Sequence, residues 1–462
     1  MAAQVDVLVV GAGPSGLALG VDLARRGVDA LVVEQGDGLF PGSRGKGLQP
    51  RTMEVFDDLG VLDAIRAAGG VHPVGMIWQD GRRMGEHQMF DPAEPTEDAP
   101  YTEPWMVPQW RTQEILLARL RKLGGRVAFR REAVGLAQDE NGVTVRFAEG
   151  PELRAGYVVA ADGGRSAVRR ALGIGMTGET VDPGPMLVAD VRIPDLDRDN
   201  WHMFPAEDGG FMAVCPLAGT EDFQLVARLP EGTAVDLSLD GVRKVVATRS
   251  HLAPEDVTEV RWASDFRPRA ALADRFRQGR VFLIGDAAHV HSPAGGQGLN
   301  TSVQDAYNLG WKLGAVLRGD APAALLDSYE EERRPIAAAM LGLSTSVHRG
   351  ETRRGEATRQ LNLGYRASSL AEETREAPGP VRAGDRAPDG TVKGTRLFDA
   401  FRGPHWTLLT VDTDLDTYTA QVYGAGVFLI RPDGYVGWAG ETTEGLAEYA
   451  GRVGAKDAYR TL

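Results

Sequence analysis

Cysteine is almost absent from this 462-residue chain, in which Cys215 is the only one. A single thiol excludes an internal disulfide, a CxxC redox pair and a zinc site built from cysteines, and no metal site is predicted. No apolar run approaches the length of a membrane span, and the chain starts without a basic leader. The net charge of −13 disfavours a nucleic acid or an anionic membrane as partner. These absences predict a cytoplasmic protein in which any redox chemistry depends on a cofactor.

The N-terminal segment, residues 5–34, has the pattern of a dinucleotide-binding unit. An apolar strand ends in Gly11-x-Gly13-x-x-Gly16, and a periodic helix, a second apolar strand and Glu34 follow. Gly11 permits the tight turn, Gly13 lets a pyrophosphate approach, and Gly16 lets the helix pack on the strand. Glu34 can accept a hydrogen bond from a ribose hydroxyl. GxGxxG alone is weak evidence, but in this order of elements it predicts a Rossmann-type nucleotide site.

A second segment, residues 281–317, predicts a short strand, an acidic tip, a Gly/Pro-rich loop and a long amphipathic helix that begins near Leu299. Gly296 and Gly298 let backbone come close to a ligand, and the free amides of the helix can hold negative charge. Asp286 at the strand tip fits a turn or a helix cap as well as a ligand contact. This segment becomes informative only together with the N-terminal one.

A third segment, residues 157–173, predicts an apolar strand that ends in Asp162-Gly163 and a helix with Arg169 and Arg170 near its start. Cations oppose the helix dipole at that end, so they indicate an anion nearby, although a capped helix with a basic first turn explains them too. Residues 183–270 alternate apolar and polar in short runs, which predicts an antiparallel sheet inserted into the dinucleotide fold.

Aromatic residues are concentrated in residues 72–110 and 183–270, which contain five of the eight tryptophans. Such a set is either plain core or the lining of a roomy pocket for a large flat substrate. The predicted pocket residues are Trp78, Trp105, Met203, Phe211 and Met212.

Three ordered motifs, GAGPSG, ADGGRSAVRRALG and GDAAHVHSPAGGQGLNTSVQDAYNLGWKL, resemble the single-component FAD-dependent aromatic hydroxylases, the family of p-hydroxybenzoate hydroxylase. SRG at 43–45 followed by RTMEVFD, and VPQ at 107–109, are more similar to the branch that tailors aromatic polyketide antibiotics. The resemblance covers nearly the whole chain. It implies an α/β fold in which a Rossmann FAD-binding domain carries an inserted antiparallel-sheet substrate domain and a small C-terminal thioredoxin-like domain. The expected boundaries are 1–71, 111–182 and 271–345 for the FAD-binding domain, 72–110 and 183–270 for the substrate domain, 346–394 for a connector, and 395–462 for the C-terminal domain.

The resemblance also implies site residues around a tightly but non-covalently bound FAD. In that family the arginine of SRG and the glutamine of VPQ contact the cofactor, and the aspartate of GDAAH binds its ribityl or pyrophosphate region. Arg44, Pro293 and Gly298 are expected to position flavin and substrate, and no catalytic base is assigned, since His289 and His291 are read as structural. The expected cofactor-binding residues are Gly11, Gly13, Pro14, Ser15, Gly16, Glu34, Gln35, Arg44, Gly45, Gln109, Arg111, Val134, Asp162, Gly163, Gly285, Asp286, Pro293, Gly296, Gly298, Leu299 and Asn300.

The implied activity is a monooxygenase that consumes NADPH or NADH and inserts one atom of O2 into a large aromatic substrate of the polyketide type, through a flavin C4a-hydroperoxide. No second GxGxxG exists, so the nicotinamide nucleotide is expected to bind transiently. Baeyer–Villiger oxygenation, epoxidation, hydroxylation of small phenols and a non-catalytic flavin-binding role stay open as alternatives. The chain is expected to act as a monomer or a homodimer.

Overall fold

A computed structural model describes residues 4–206, 210–412, 418–455 and 459–462 of the chain. The fold is mixed α/β and contains several sheets. Within the described ranges, every helix is too short or too polar to cross a lipid bilayer. Three units matter for the site, and they are called here the dinucleotide sheet, the substrate sheet and the C-terminal sheet.

The dinucleotide sheet has a parallel centre that is buried on both faces. Strand Gln4–Val10 pairs in parallel with Ala30–Val33 on one side and with Leu153–Ala160 on the other. Near-continuous apolar runs, such as VLVV at residues 7–10 and YVVA at residues 157–160, are typical of strands that are buried on both faces. The remaining strands of the sheet are Arg126–Ala128, Ala133–Asp139, Gly142–Phe147, Arg277–Gln278 and Val281–Leu283. As predicted, the glycine motif, Asp162 and Asp286 all follow strands of this one sheet.

Helix Gly298–Leu317 runs through the middle of the protein. The sequence predicts an amphipathic helix, but every residue from Asn300 to Ala315 is buried. The reason is that helix Pro14–Arg25 packs on one side of it and helix Ser328–His348 on another, while Trp311 enters the core of the C-terminal sheet. The other helices of six or more residues are Pro50–Asp58, Leu62–Ala68, Gln109–Lys122, Leu239–Arg249, Tyr418–Tyr423 and Leu446–Val453.

The substrate sheet is the inserted sheet that the alternating pattern predicts, with two corrections. Its strands, in spatial order, are Glu259–Phe266, Met186–Arg192, Asp222–Arg228, Phe211–Pro216, Asn200–Pro205, Val74–Gln79 and Arg82–His87. One pairing, between Asn200–Pro205 and Val74–Gln79, is parallel, because these strands are joined by a long excursion instead of a hairpin. Strand Trp105–Met106 pairs with Gly47–Leu48 and Gly70–Val71 outside this sheet, so residues 88–110 do not extend it.

The C-terminal sheet begins earlier than the predicted boundary at 395. Its strands are Glu372–Glu373, Trp406–Val411, Gly426–Ile430, Val436–Gly440 and Tyr459–Thr461. The first of them lies inside the predicted connector, and helix Ser328–His348 occupies the connector's first residues. The connector is therefore shorter than the charged, Pro/Gly-rich composition indicates.

A buried ionic cluster joins the C-terminal sheet to the long helices. The Lys312 ammonium donates to Glu332 at 2.7 Å. Arg431 donates to Glu332 at 2.6 and 2.9 Å and to Asp433 at 2.6 Å. The Trp311 indole donates to the same Asp433 carboxylate at 3.0 Å. Each charge is removed from water but has an opposite charge within hydrogen-bond distance, which is the condition for burying it.

The pKa values in this cluster follow from burial and mutual attraction. Burial lowers the pKa of Lys312 to about 8, against the attraction of Glu332. Burial alone would raise the pKa of Glu332, but the attraction of Arg431 and Lys312 outweighs it and holds that pKa below its usual range. Glu332 is therefore ionised and is the common partner of two cations from different parts of the fold.

Replacing Glu332 by Gln leaves the buried Lys312 without its carboxylate partner and leaves Arg431 with Asp433 alone, and we expect the free energy of unfolding to fall by about 3–5 kcal/mol. Urea unfolding followed by circular dichroism measures the loss. The matched control is Glu114→Gln, which removes a 2.8 Å ion pair with Arg111 in which both side chains are half exposed. We expect the control to cost less than about 1 kcal/mol. Equal losses of unfolding free energy in the two variants would contradict a stabilising role for the buried cluster.

Candidate functional site

A cavity of about 700 Å³ lies between the dinucleotide sheet and the substrate sheet. It brings together most of the residues that the sequence predicts for the site. The predicted residues that line it are Gly11, Gly13, Pro14, Ser15, Glu34, Gln35, Arg44, Gly45, Gln109, Asp162, Gly163, Asp286, Pro293, Gly296, Gly298 and Leu299. Segments nearly three hundred residues apart in the sequence thus face one space.

The glycine turn forms one end of the cavity. Gly11 has φ +110°, and a Cβ there would lie 2.3 Å from the Ala161 carbonyl oxygen, so only glycine fits. At Gly13, by contrast, a Cβ would meet no atom within 4 Å and would project into open space. The Glu34 carboxylate accepts hydrogen bonds from the Ala12 and Gly36 amides at 2.9 and 3.0 Å. Through these hydrogen bonds Glu34 holds the glycine turn in place without a ligand.

A second wall is formed where three predicted segments meet. The Gly45 amide donates to Gln109 Oε1 at 3.0 Å. Asn300 accepts from the Gln49 amide at 2.8 Å and donates to the Gly47 carbonyl at 3.0 Å. The Asn300 side chain thus faces the loop that follows SRG, away from the cavity, and it connects this loop to the start of the long helix.

Arg44 and Asp286 supply opposite charges to the cavity surface. The Arg44 guanidinium lies 5.0 Å from the ring centroid of Phe40 and 5.7 Å from that of Trp262, and its side chain is exposed to the cavity. Burial raises the pKa of the Asp286 carboxyl above its usual value, while the electrostatic attraction of nearby groups, among them Arg44, opposes this shift. Neither group is in a salt bridge within the described residues.

A buried carboxylate fixes the loop that carries Asp286. Asp305, on the long helix, accepts from the Gly285 amide at 3.0 Å, from His289 Nε2 at 2.6 Å and from Arg333 Nε at 2.7 Å. His291 Nε2 lies 2.9 Å from His289 Nδ1. Burial lowers the pKa of His291 well below its usual range, so its imidazole is neutral. The geometry agrees with the structural reading of both histidines.

Asp162 caps a helix and also faces the cavity. Its Oδ2 accepts from the Ala167 and Val168 amides at 2.8 and 3.2 Å, and burial raises the pKa of its carboxyl. The Arg169 guanidinium donates to the Ala287 and Gly164 carbonyls at 3.0 and 2.9 Å, and Arg169 does not line the cavity. Its neighbour Arg170 does line the cavity.

Five predicted cofactor residues do not line the cavity, each for a physical reason. Gly16 and Gly285 pack closely against neighbouring atoms instead. A Cβ at Gly16 would lie 2.0 Å from the Gly11 carbonyl oxygen, and a Cβ at Gly285 would lie 3.0 Å from the Ser302 side chain. Arg111 points outward and pairs with Glu114. Val134 is 51% exposed on the opposite face of its strand from Ala133, which does line the cavity. Asn300, as described above, holds the loop instead.

The structure places all five predicted pocket aromatics and methionines elsewhere. Trp78 stacks near Phe204 and donates to His202 Nδ1 at 3.0 Å. Met212 is fully buried in the core beneath helix Leu239–Arg249, and Phe211 is 37% exposed at the surface. The Trp105 indole donates to the Ile65 carbonyl at 3.2 Å, and Met203 packs against Gly75. The aromatic residues that line the cavity are Phe40, Phe90, Trp201 and Phe266.

Sequence reasoning missed Lys46, His72 and Arg354, which line the far end of the cavity. Lys46 follows directly on the SRG motif, and that adjacency was the available signal. Arg354 lies in a charged stretch without periodicity, where no local pattern separates it from its exposed neighbours.

The cavity fits a dinucleotide such as FAD. It combines the open cradle at Gly13, a carboxylate beside it and the N-terminus of a 20-residue helix. Four buried polar atoms of lining residues have no hydrogen-bond partner within the described part of the chain: Gln49 Oε1, His72 Nε2, Asp162 Oδ1 and His291 Nδ1. Buried polar atoms are rarely left so, and a bound ligand can satisfy them.

Comparisons with known proteins agree with this fit. A family model described as the FAD binding domain matches residues 4–344. A flavin-dependent monooxygenase of Mycobacteroides abscessus is 46% identical over 97% of this chain and 99% of its own length. Anhydrotetracycline monooxygenase of Streptomyces rimosus is 33% identical over 99% and 98% of the two chains. The crystal structure of aklavinone-11 hydroxylase with FAD and aklavinone superposes with a TM-score of 0.85 and 30% identity, covering 97% of this chain and 98% of that one.

The chain belongs to the FAD-dependent monooxygenases. The resemblance that three sequence motifs indicated is thereby confirmed, as are the enzyme class and FAD as the cofactor. When bound, FAD supplies the redox chemistry that the single, buried Cys215 cannot.

In this monooxygenase, Asn300→Ala removes the connection between the long helix and the loop that follows SRG. The Gln49 amide and the Gly47 carbonyl lose a buried partner, so we expect the free energy of unfolding to fall by about 2–3 kcal/mol in the apoprotein. Urea unfolding in the absence of FAD measures this loss. Asn141→Ala, at an exposed turn, is the control and should change the value by less than about 0.5 kcal/mol. A loss no larger than that of the control would contradict the role given to Asn300.

Proposed function

We propose that this enzyme uses NADPH or NADH and O2 to insert one oxygen atom into a large aromatic substrate of the polyketide type. The observation that carries the proposal is one continuous cavity in which a dinucleotide wall meets an aromatic and cationic wall from the substrate sheet and its neighbours. Two of the relatives named above are an anhydrotetracycline monooxygenase and an aklavinone-11 hydroxylase, and their polycyclic aromatic substrates support the substrate class.

Several residues of the wall next to the dinucleotide sheet are proposed to hold FAD. Glu34 accepts a hydrogen bond from a ribose hydroxyl, and the turn at Gly11 and Gly13 receives the pyrophosphate. Asp286 binds the ribityl or pyrophosphate region. The amides at the start of helix Gly298–Leu317 face developing negative charge on the ring system, because the positive end of the helix dipole lies there.

Arg44, Gln109 and Pro293 are proposed to position flavin and substrate. Gln109 already holds the Gly45 amide and so sets the loop that carries Arg44. Pro293 precedes the helix and lines the cavity where the two walls meet. The walls exclude water from the reacting atoms, which a monooxygenase needs so that O2 is not converted to peroxide without product.

The C-terminal unit is proposed to be a thioredoxin-like packing module without redox activity. In its five-stranded sheet the central strand Gly426–Ile430 pairs antiparallel with both neighbours, and each edge strand pairs in parallel with the next strand, which supports this assignment. It has no cysteine, since Cys215 lies in the substrate sheet. Its buried ionic cluster with Glu332 indicates permanent docking.

The proposed activity is tested by oxygen-dependent NADPH oxidation with and without tetracycline- and anthracycline-type aromatic compounds, with 18O2 as the source of oxygen. We expect stimulated oxidation together with a product that gains one labelled atom. If no aromatic compound stimulates turnover and none gains label, the chain is a flavin-binding protein without this activity.

Asp286→Ala should weaken FAD binding, because it removes a carboxylate that faces the cavity. We expect the dissociation constant for FAD to rise about tenfold or more, the value of one hydrogen bond to a charged group. Flavin absorbance of the purified protein and titration of the apoprotein measure it. The control is Asp195→Ala, which removes an exposed carboxylate that does not line the cavity. A variant that retains its full flavin content with unchanged affinity would refute the role of Asp286.

Arg44→Ala should slow reduction of the flavin more than it weakens FAD binding, because a cation beside the ring stabilises the negative charge that reduction adds. We expect the reduction rate with NADPH to fall about tenfold, with less than about a threefold change in FAD affinity. Stopped-flow absorbance measures the rate, and Arg111→Ala serves as control, since Arg111 points away from the cavity. Equal rates for wild type and Arg44→Ala would rule this role out.

A further inference from the structure

The far end of the cavity is lined by a continuous row of cations and rings. The Lys46 ammonium lies 4.3 Å from the ring centroid of Trp201, and the Arg354 guanidinium lies 5.2 Å from that of Phe90. His72 lies between the two rings, with centroid distances of 4.5 Å to Phe90 and 5.1 Å to Trp201. All five residues line the cavity. The row presents flat apolar faces with a positive charge at each end.

The charge of this row comes from Lys46 and Arg354 alone. Burial, together with the repulsion of Arg354 and Lys46, lowers the pKa of His72 to about 3, so its imidazole is neutral at working pH. The repulsion also means that the two cations act on the same small region. A ligand placed against the rings therefore experiences two positive charges and no third one from the histidine.

The carboxylates that line the cavity belong to the other end. Glu34, Glu132, Asp162 and Asp286 all stand beside strands of the dinucleotide sheet. The acid that attracts Lys46, Asp190, is buried in the substrate sheet and does not line the cavity; burial raises its pKa to about 7. The four lining acids share their part of the cavity with arginines, namely Arg44, Arg131, Arg165 and Arg170, and none of the four acids forms a salt bridge with Lys46 within the described residues.

Lys46 has a neutral partner among the described residues, because its ammonium donates to Gln224 Oε1. Among the same residues no carboxylate forms a salt bridge with it. Partial burial removes water from the ammonium group, and a hydrogen bond to a neutral partner replaces only part of the solvation energy that is lost. An anion brought by a ligand would supply the missing charge.

We propose that Lys46 and Arg354 bind an oxyanion of the aromatic substrate, so that the enzyme selects substrates carrying a carboxylate or an ionised phenol or enol over neutral ones. This inference rests on the proposed function and specifies its substrate class. Trp201 and Phe90 pack against the ring system of the substrate and at the same time hold the two cations in place through cation–π contacts. Lys46 and Arg354 are specificity-determining residues in this assignment.

Equilibrium dialysis with the FAD-loaded enzyme tests the assignment without any need for turnover. The probes are anthraquinone-2-carboxylate, its neutral isostere anthraquinone-2-carboxamide, and 2-hydroxyanthraquinone. We expect the carboxylate, or the hydroxy compound above the pKa of its own phenol, to bind about tenfold more tightly than the carboxamide, as one charge-assisted contact predicts. The two anionic probes distinguish a carboxylate site from a phenolate site.

The variants Lys46→Met and Arg354→Met should each remove most of that preference and leave the binding of the carboxamide within about twofold. Lys46→Arg should retain the preference, because the charge remains. The matched control is Arg353→Met, an exposed arginine next to Arg354 that does not line the cavity, and it should change nothing. If Lys46 only held its loop through Gln224, both kinds of probe would lose affinity equally.

The assignment is overturned if the wild-type enzyme shows no preference for either anionic probe, if it binds neither of them, or if the variants weaken the neutral and anionic probes equally. FAD content and oxygen-dependent NADPH oxidation are recorded on the same samples. An enzyme that retains both but lacks the preference refutes only this inference. An absence of FAD binding or of NADPH oxidation would instead refute the proposed function.

Discussion

The Asp305 carboxylate is the interaction on which the site depends. It lies in the middle of the buried helix Gly298–Leu317 and accepts from the Gly285 amide, from His289 and from Arg333. One buried charge thereby ties the end of a sheet strand to two helices. A buried carboxylate is stable only when its oxygens are satisfied, so these partners hold one another in a single arrangement. The contacts of Asp305 with Gly285 and His289 therefore also hold the loop that presents Asp286 and Pro293 to the cavity.

The same physical solution recurs where the C-terminal sheet docks. Glu332 is shared by Lys312 and Arg431, which come from different units of the fold. A second buried pair, in which Arg386 donates to Glu54 at 2.7 Å, lies at the same junction. Ion pairs of this kind contribute specificity of docking more than net stability, because each charge costs desolvation energy to bury. The buried ion pairs therefore give the enzyme a rigid frame around the cavity.

The sequence predicted the glycine turn of the backbone, but it did not predict which aromatic and methionine side chains line the cavity. The turn at Gly11 and Gly13 and the acid Glu34 were predictable, since local spacing alone requires their roles. Val134 was not, because a strand alternates its faces and one residue of register moves a side chain from the cavity to the solvent. Trp78 and Met212 were misplaced because an apolar residue in an alternating run can face the core or a pocket, and the sequence does not distinguish the two.

By itself the sequence determined that this chain has a dinucleotide site and lacks a cysteine pair, because glycine spacing, strand-end acids and a cysteine count are local properties of the chain. Its resemblance to the aromatic hydroxylases indicated that the dinucleotide is FAD. Only the tertiary structure decided which side chains line the cavity. Lys46 and Trp201 are 155 positions apart and Arg354 lies farther still, yet they share one end of the cavity. Such a meeting depends on how the inserted sheet and the segment after helix Ser328–His348 pack against the dinucleotide sheet, and no periodicity within a segment encodes it.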